Sequence, residues 1–315
     1  MHREQNKSQQ YHAQVRFLFH ATVKIKIPVA YSVLLLDDLF SIMESVDYQY
    51  NSYRKNSYFD LINRSAGSFV EVDDFTIFLL NKIKEVASFF DGLYDISIMP
   101  LLRLWGFYQS GENRRLPSQE ELQAALQKID FRKIELEGNK VRIQKGQELT
   151  TGSFLKAFAV DRVVKELKRA GVSDALINAG GSTIRYLNDE SHPFWDIRVY
   201  DPDVREQLLF GLKLSNGCFS TSAQKETRIV IDGKEYGHIL NPKTGFPAAN
   251  KQVGIVGKNA FEGDMLSTAL MNVPSEQWKP LLKQLDERWG VSGFVIDENR
   301  KITFSDNFNE NMTTE

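Results

Sequence analysis

Two short patterns in this chain are of types and spacings that could do chemistry. In His238-Ile-Leu-Asn241-Pro242-Lys-Thr244-Gly245 a histidine leaves an expected strand just before a turn stiffened by Pro242 and Gly245. Histidine is the side chain most easily used as a base near neutral pH. A lone histidine half-buried in a turn is the plainer alternative. Asp264 and Thr268 stand four residues apart on an expected helix and so share one face. A carboxylate and a hydroxyl placed together can give two oxygen ligands to Mg2+, a hard cation that keeps waters and binds substrate phosphates. Taken alone, the pair equally describes a helix-capping aspartate and a bystander threonine.

Three further segments suit a ligand carrying phosphates and flat rings. Gly180-Gly181 follows an apolar strand. Paired glycines admit close approach and offer N–H groups to phosphate oxygens, although a tight turn explains them too. The spacing is neither a dinucleotide fingerprint nor a P-loop. Gly152-Ser153 opens the helix that carries Lys156. A helix N-terminus of small residues can receive phosphate oxygens, and an ordinary helix start reads the same way. Tyr48, Tyr50, Tyr53 and Tyr58 crowd a stretch rich in Asn and Ser, which suits either a heteroaromatic ligand or a surface loop with aromatic anchors.

The elements that must position these residues are mixed. Period-two alternation predicts a strand over Phe17–Pro28, and apolar spacings of three and four predict helices over Ser32–Val46 and Asp74–Phe90. Ser118-Gln-Glu-Glu121 opens a helix to Ile129 with a capping pattern. A hairpin is expected over Lys133–Ile143 and a helix over Ser153–Ala170, ended by Gly171. Strands follow at Ala175–Ala179, Trp195–Tyr200 and Leu208–Leu214, with a hairpin around Asp232-Gly233. A strand at Gln252–Val256 precedes helices at Phe261–Asn272 and Ser275–Leu285, and two short strands close the chain. There is no regular βαβ rhythm. The expected fold is α+β, or α/β with a mixed sheet, in one compact unit over residues 15–315, with a helix-rich lobe near residues 40–130. Residues 1–14 are expected to be a loose tail.

Composition narrows the function classes. The chain has 315 residues, 42% of them hydrophobic, which allows a sizeable core. Lys and Arg total 39 against 41 Asp and Glu, so charge gives no reason to expect a nucleic-acid partner. With Cys218 the lone cysteine, no intrachain disulfide and no cysteine-rich metal site can form. The polar start lacks an apolar signal-peptide core or an early lipid-anchor cysteine, and Val29–Leu36 is too short to span a bilayer. The expectation is a cytoplasmic protein without membrane insertion.

Each signal is weak by itself, but their order along the chain is specific. Tyr53-Arg-Lys-Asn-Ser57…Asn63, Gly92-Leu-Tyr-Asp95 through Pro100 to Trp105-Gly106-Phe107, Gly152 to Arg162, Asn178-Ala-Gly180-Gly181, Thr221-Ser222, the His238 block and Asp264-Met-Leu-Ser-Thr268 resemble, in that order, the blocks of the FAD:protein FMN transferase family (ApbE, once described as thiamine-biosynthesis lipoproteins). The resemblance runs from about residue 17 to 305. It implies Mg2+-dependent transfer of the FMN half of FAD to a threonine or serine hydroxyl of an acceptor protein, with release of AMP. Carried over by position, it implies Asp264 and Thr268 as Mg2+ ligands with the backbone carbonyl of Leu155, and His238 as the base. Tyr53, Lys156, Asp161, Gly180, Gly181 and Thr221 fall in blocks that line FAD in the family. Where the family usually has Asp, Gly, Gly and Ala, this chain has Thr150, Ala157, Ala223 and Gly263. Ala157 adds a methyl group where close approach of the cofactor is expected. Many members of the family work outside the cytoplasmic membrane; with a cytoplasmic location expected here, the acceptor would be a cytoplasmic protein, such as a soluble flavin reductase bearing the family's acceptor motif Asp-small-x-Ser/Thr-small-small-Thr. That motif is absent here, so self-flavinylation is not expected. The alternative activities are FAD binding without transfer, and FAD pyrophosphatase action giving FMN and AMP.

Overall fold

The computed structural model describes residues 10–108, 115–204, 206–225, 227–308 and 312–313. The chain opens with a hairpin of strands β1 (Tyr11–Leu18) and β2 (Ala21–Pro28). The expected single strand over 17–28 is therefore two, because Phe19 and His20 adopt positive φ (53° and 58°) and reverse the chain. Residues 11–14, expected in a loose tail, belong to β1: Tyr11 pairs in register with Pro28, and its hydroxyl bonds Asp174. Residues 1–9 of that tail lie outside the described residues.

Helices α1 (Leu34–Tyr50), α2 (Tyr58–Arg64) and α3 (Asp74–Phe89) come next. The small strand β3 (Val70–Glu71) pairs with the hairpin of β4 (Glu135–Glu137) and β5 (Lys140–Arg142). Between them lie α4 (Met99–Leu104) and α5 (Gln119–Leu126). Ser118 and Glu121 form the reciprocal capping box that their spacing predicts. Helix α6 (Leu155–Arg169) leads into β6 (Ala175–Ala179) and β7 (Thr183–Leu187). Strands β8 (Trp195–Tyr200), β9 (Leu208–Leu214) and β10 (Cys218–Ala223) follow, then the hairpin of β11 (Arg228–Ile231) and β12 (Lys234–Gly237). The chain closes with β13 (Gln252–Gly257), α7 (Ala260–Leu270), α8 (Trp278–Trp289), β14 (Ser292–Ile296), β15 (Ile302–Phe304) and β16 (Met312–Thr313).

The central sheet has eight strands in the order β1-β2-β6-β7-β10-β13-β14-β15. Every neighbouring pair is antiparallel, which settles the fold as α+β. Val23, Ile25 and Ile177 on one face pack into a core shared with α1, α3, α6, α7 and α8. On the other face Ile184, Tyr186, Phe219 and Phe294 meet the three-stranded sheet β16-β9-β8. Strand β7 is buried along its whole length, with Ile184 and Tyr186 on one face and Thr183 and Arg185 on the other, so neither face meets solvent. A third cluster joins α4 and α5 to the β11–β12 hairpin through Leu101, Trp105, Leu122 and Ile231. Trp105 Nε1 donates to the Gly245 carbonyl at 2.8 Å and ties this lobe to the turn after His238. Among the described residues no helix is long and apolar enough to cross a membrane.

Candidate active site

A cleft of about 920 Å3 opens between the β1–β2 hairpin, the β6–β7 turn, the start of α6, one face of α7 and the His238 turn. That volume suits a ligand of dinucleotide size. Tyr53, Lys156, Gly180, Gly181, Thr221, His238, Asp264 and Thr268 all line it. Leu155 and Asp161 do not: Leu155 opens α6 with its side chain in the core, and Asp161 sits six residues further along that helix.

Asp264 is a largely buried carboxylate of the cleft, where Asp95 also lies. Its two carboxylate oxygens accept from Thr183 Oγ1 at 3.0 and 2.9 Å. Burial holds its carboxyl above the usual carboxylate range, against the pull of Lys156, Ser220 and Thr183. Thr268 Oγ1 donates to the Asp264 carbonyl at 2.8 Å, which leaves its oxygen lone pairs for other partners. Gly263, in place of the family's usual alanine, has a physical reason. A Cβ there would come within 2.7 Å of Ser220 Oγ, whose hydroxyl supports Asp264.

Lys156 Nζ donates to Ser182 Oγ and lies above Gly180. The glycine turn is built for shape rather than for anion capture by its own amides. Gly180 N–H donates to the Thr22 carbonyl at 2.9 Å and Gly181 N–H to Asn178 Oδ1 at 2.8 Å, so neither is free for a phosphate. Both residues have positive φ, and a Cβ on Gly180 would lie 2.9 Å from that of Ala21. The turn thus presents bare backbone to the cleft, with the Lys156 ammonium beside it.

His238 Nδ1 lies 3.1 Å from the Thr227 carbonyl, and its backbone N–H donates to the same oxygen at 3.0 Å. A carbonyl only accepts, so the proton sits on Nδ1 and Nε2 carries the lone pair. Burial, with a smaller contribution from Lys156, lowers the imidazole below its ordinary value. Asn241 fixes the turn beyond it: its Oδ1 accepts from the N–H groups of Lys243 and Thr244 at 2.8 and 3.2 Å. Gly245 takes φ +79°, with Leu122 pressing on the place a Cβ would fill.

The four tyrosines do not form one cradle. Tyr53 reaches the cleft, Tyr50 is core with its hydroxyl on Asp73, and Tyr48 is exposed beneath Arg54. Tyr53 instead pairs with Tyr108, ring centroids 5.2 Å apart, and its hydroxyl meets Thr150 Oγ1 at 3.1 Å. Thr150, where the family usually has aspartate, also accepts from Gly152 N–H at 3.3 Å. Ala157 is fully buried in the core and does not line the cleft, so its methyl group does not stand in the ligand's way. Ala223 does line the cleft.

Several lining residues carried no sequence signal. Thr183 sits in a short strand buried on both faces, and Tyr108 and Thr227 in irregular segments, whereas Ser222 came with the Thr221 block. Asn272 could have been found: it lies eight residues after Asp264 and four after Thr268, continuing their stripe.

A family model described as the ApbE family matches residues 19–291. This chain belongs to the ApbE family. Over 251 residues it is 28% identical to a protein of Klebsiella pneumoniae named FAD:protein FMN transferase, covering 78% of this chain and 76% of that one. A protein of Treponema pallidum with the same name is 25% identical over 91% of this chain and 84% of its own length. Among solved structures, the ApbE protein from Thermotoga maritima superposes with a TM-score of 0.89 at 26% identity, covering 97% of this chain and 100% of that chain. ApbE membership accounts for one cleft collecting blocks as distant as Tyr53 and Thr268.

Among the described residues no group of three or more His, Cys, Asp and Glu side chains is placed to hold a metal ion. The donor set at Asp264 is of another kind: one buried carboxylate, the hydroxyl of Thr268, and room for phosphate oxygens. Hard oxygen donors of that sort, few in number, fit Mg2+, which completes its shell with water and substrate phosphates.

Proposed function

We propose that this protein is an FAD:protein FMN transferase that moves the FMN part of FAD, with Mg2+, onto a threonine or serine hydroxyl of an acceptor protein and releases AMP. The observation that supports it most is the convergence of His238, Lys156 and the Asp264–Thr268 pair on one cleft, in an ApbE chain. Relatives bearing that activity in their names carry the reading to this chain.

In this account FAD lies along the cleft with its diphosphate at Lys156 and the glycine turn, and one ring system against Tyr53 and Tyr108. His238 Nε2 takes the proton of the acceptor hydroxyl. The hydroxyl oxygen attacks the FMN phosphorus, the phosphoester bond forms, and the bond to the AMP phosphate oxygen breaks. Lys156 offsets the charge that develops on the phosphates. Asp264 and Thr268 would hold Mg2+, whose chemistry there is to neutralise the diphosphate and the departing AMP. Tyr53 and Tyr108 orient the substrate, a share of about 1 kcal/mol.

The test is to change Lys156→Met and measure FAD binding and FMN transfer to a motif-bearing acceptor. The expected result is rings still bound, with weaker FAD affinity and transfer reduced by about 100-fold. Unchanged transfer would contradict the placement of the diphosphate.

A further inference from the structure

Asp161 falls in a block that lines FAD in the family, yet here it does not line the cleft. Its carboxylate accepts from the backbone N–H of Ala260 at 3.1 Å and of Phe261 at 2.8 Å, the first two residues of α7. A third free amide of that helix end is taken locally. Glu262 N–H donates to Asn259 Oδ1 at 3.0 Å, and the regular helical bonds begin with Gly263 N–H on the Asn259 carbonyl at 3.1 Å. Three of the amides that lack helical partners at this helix start are thereby satisfied, two of them by a residue from another helix. Arg185, buried on β7, brings its Nε within 3.8 Å of the same carboxylate, and its Nη1 donates to the carbonyls of Gly217 and Tyr186.

The two helices joined this way hold the charged groups of the cleft. Lys156 lies five residues before Asp161 on α6, and Asp264 lies three residues after Phe261 on α7. We propose that Asp161 is a positioning residue: by clamping the first turn of α7 to α6, with Arg185 behind it, it sets the distance and rotation of Asp264 and Thr268 relative to Lys156. The clamp acts on the helix end by two geometrically separate hydrogen bonds, so it fixes rotation as well as position. Asp161 itself does not line the cleft. The inference rests on the proposed transferase reading, since it assumes that Asp264 and Lys156 act together on one diphosphate.

The experiment compares Asp161→Ala, Asp161→Asn and Asn259→Ala in the full chain, well below each variant's melting temperature. Asn259→Ala removes a cap from the same helix end without cutting the tie to α6, so it controls for simple fraying. The readouts are FAD affinity by flavin fluorescence, kcat and Mg2+ dependence of FMN transfer, and hydrogen exchange of the segment 260–268 without ligands. For Asp161→Ala we expect FAD affinity within about threefold, a fall in kcat of at least tenfold, and a Mg2+ requirement raised at least tenfold. Exchange over 260–268 should accelerate. Asp161→Asn keeps one acceptor oxygen, and so one of the two bonds, and should recover part of the rate lost in Asp161→Ala, and Asn259→Ala should keep both kcat and the Mg2+ requirement. If Asp161→Ala transfers normally, or Asn259→Ala loses as much as Asp161→Ala, the clamp does not position the site and the proposal falls. If the unmodified protein transfers no FMN and shows no response to Mg2+, the transferase reading falls and takes this proposal with it, a result distinct from the first.

Discussion

The Nδ1 atom of His238 can only donate to the Thr227 carbonyl, and this one bond turns Nε2 into the acceptor. Burial lowers the ring below its ordinary value, which suits the base role proposed for it at neutral pH. The log rate of FMN transfer should therefore fall on acidification with a midpoint below 6.5, and a midpoint above 6.5 in a pH–rate profile would contradict the assignment. The same shift has a stability sign. Between the folded value and 6.5 the unfolded chain binds the extra proton, so acidification through that window destabilises the protein. In His238→Gln this component of the pH dependence should disappear in denaturant melts, while transfer drops by about 100-fold or more and FAD still binds. Asp264→Asn keeps the shape of the side chain but removes its charge. We expect transfer and Mg2+ dependence both to be lost, by about 100-fold or more in rate, as followed by AMP release. Persistence of Mg2+-stimulated AMP release in that variant would remove Asp264 from the metal site. At this scale the sequence showed residue types well and roles less well. His238 and Asp264 stood out through their blocks. Asp161 stood in a block of the same kind, but its side chain turns to another helix, a fact that spacing along the chain does not carry.

The elements that were legible are those with a period. Strands Ala175–Ala179, Trp195–Tyr200 and Leu208–Leu214 have the bounds that their pattern predicts, and the stripe of Leu79, Ile83 and Val86 gives α3 within a residue. Those missed carry a weaker pattern. β7 reads Thr-Ile-Arg-Tyr-Leu and is short and buried on both faces, and β10 reads Cys-Phe-Ser-Thr-Ser-Ala, mostly small residues beneath α7 with no run of β-branched or apolar side chains. The β1–β2 reversal escaped because Phe19 and His20 carry none of the usual turn residues. The glycine turn between β6 and β7 allows a direct check at this scale. Gly180→Ala meets both a positive φ and Ala21, whereas a Cβ on Gly181 meets nothing within 4 Å. Urea denaturation should show Gly180→Ala destabilised by about 2–3 kcal/mol and Gly181→Ala by about 1 kcal/mol. Equal losses would mean that the Ala21 contact has no weight.

Across the whole molecule, the cleft is a product of tertiary assembly. Tyr53, Lys156, Gly180, His238 and Asp264 come from five separated segments, and the central sheet with α6 and α7 brings them to one wall. Composition bounded the class of protein, and only the order of blocks along the chain pointed to this site. The most direct test of the account mixes the protein with FAD and a motif-bearing acceptor, with Mg2+ or with chelator. AMP release and the intact mass of the acceptor are followed together. The account predicts AMP and an acceptor carrying one added FMN, in equal amounts, with Mg2+ alone. AMP without a modified acceptor, or FAD bound with neither product, would contradict it.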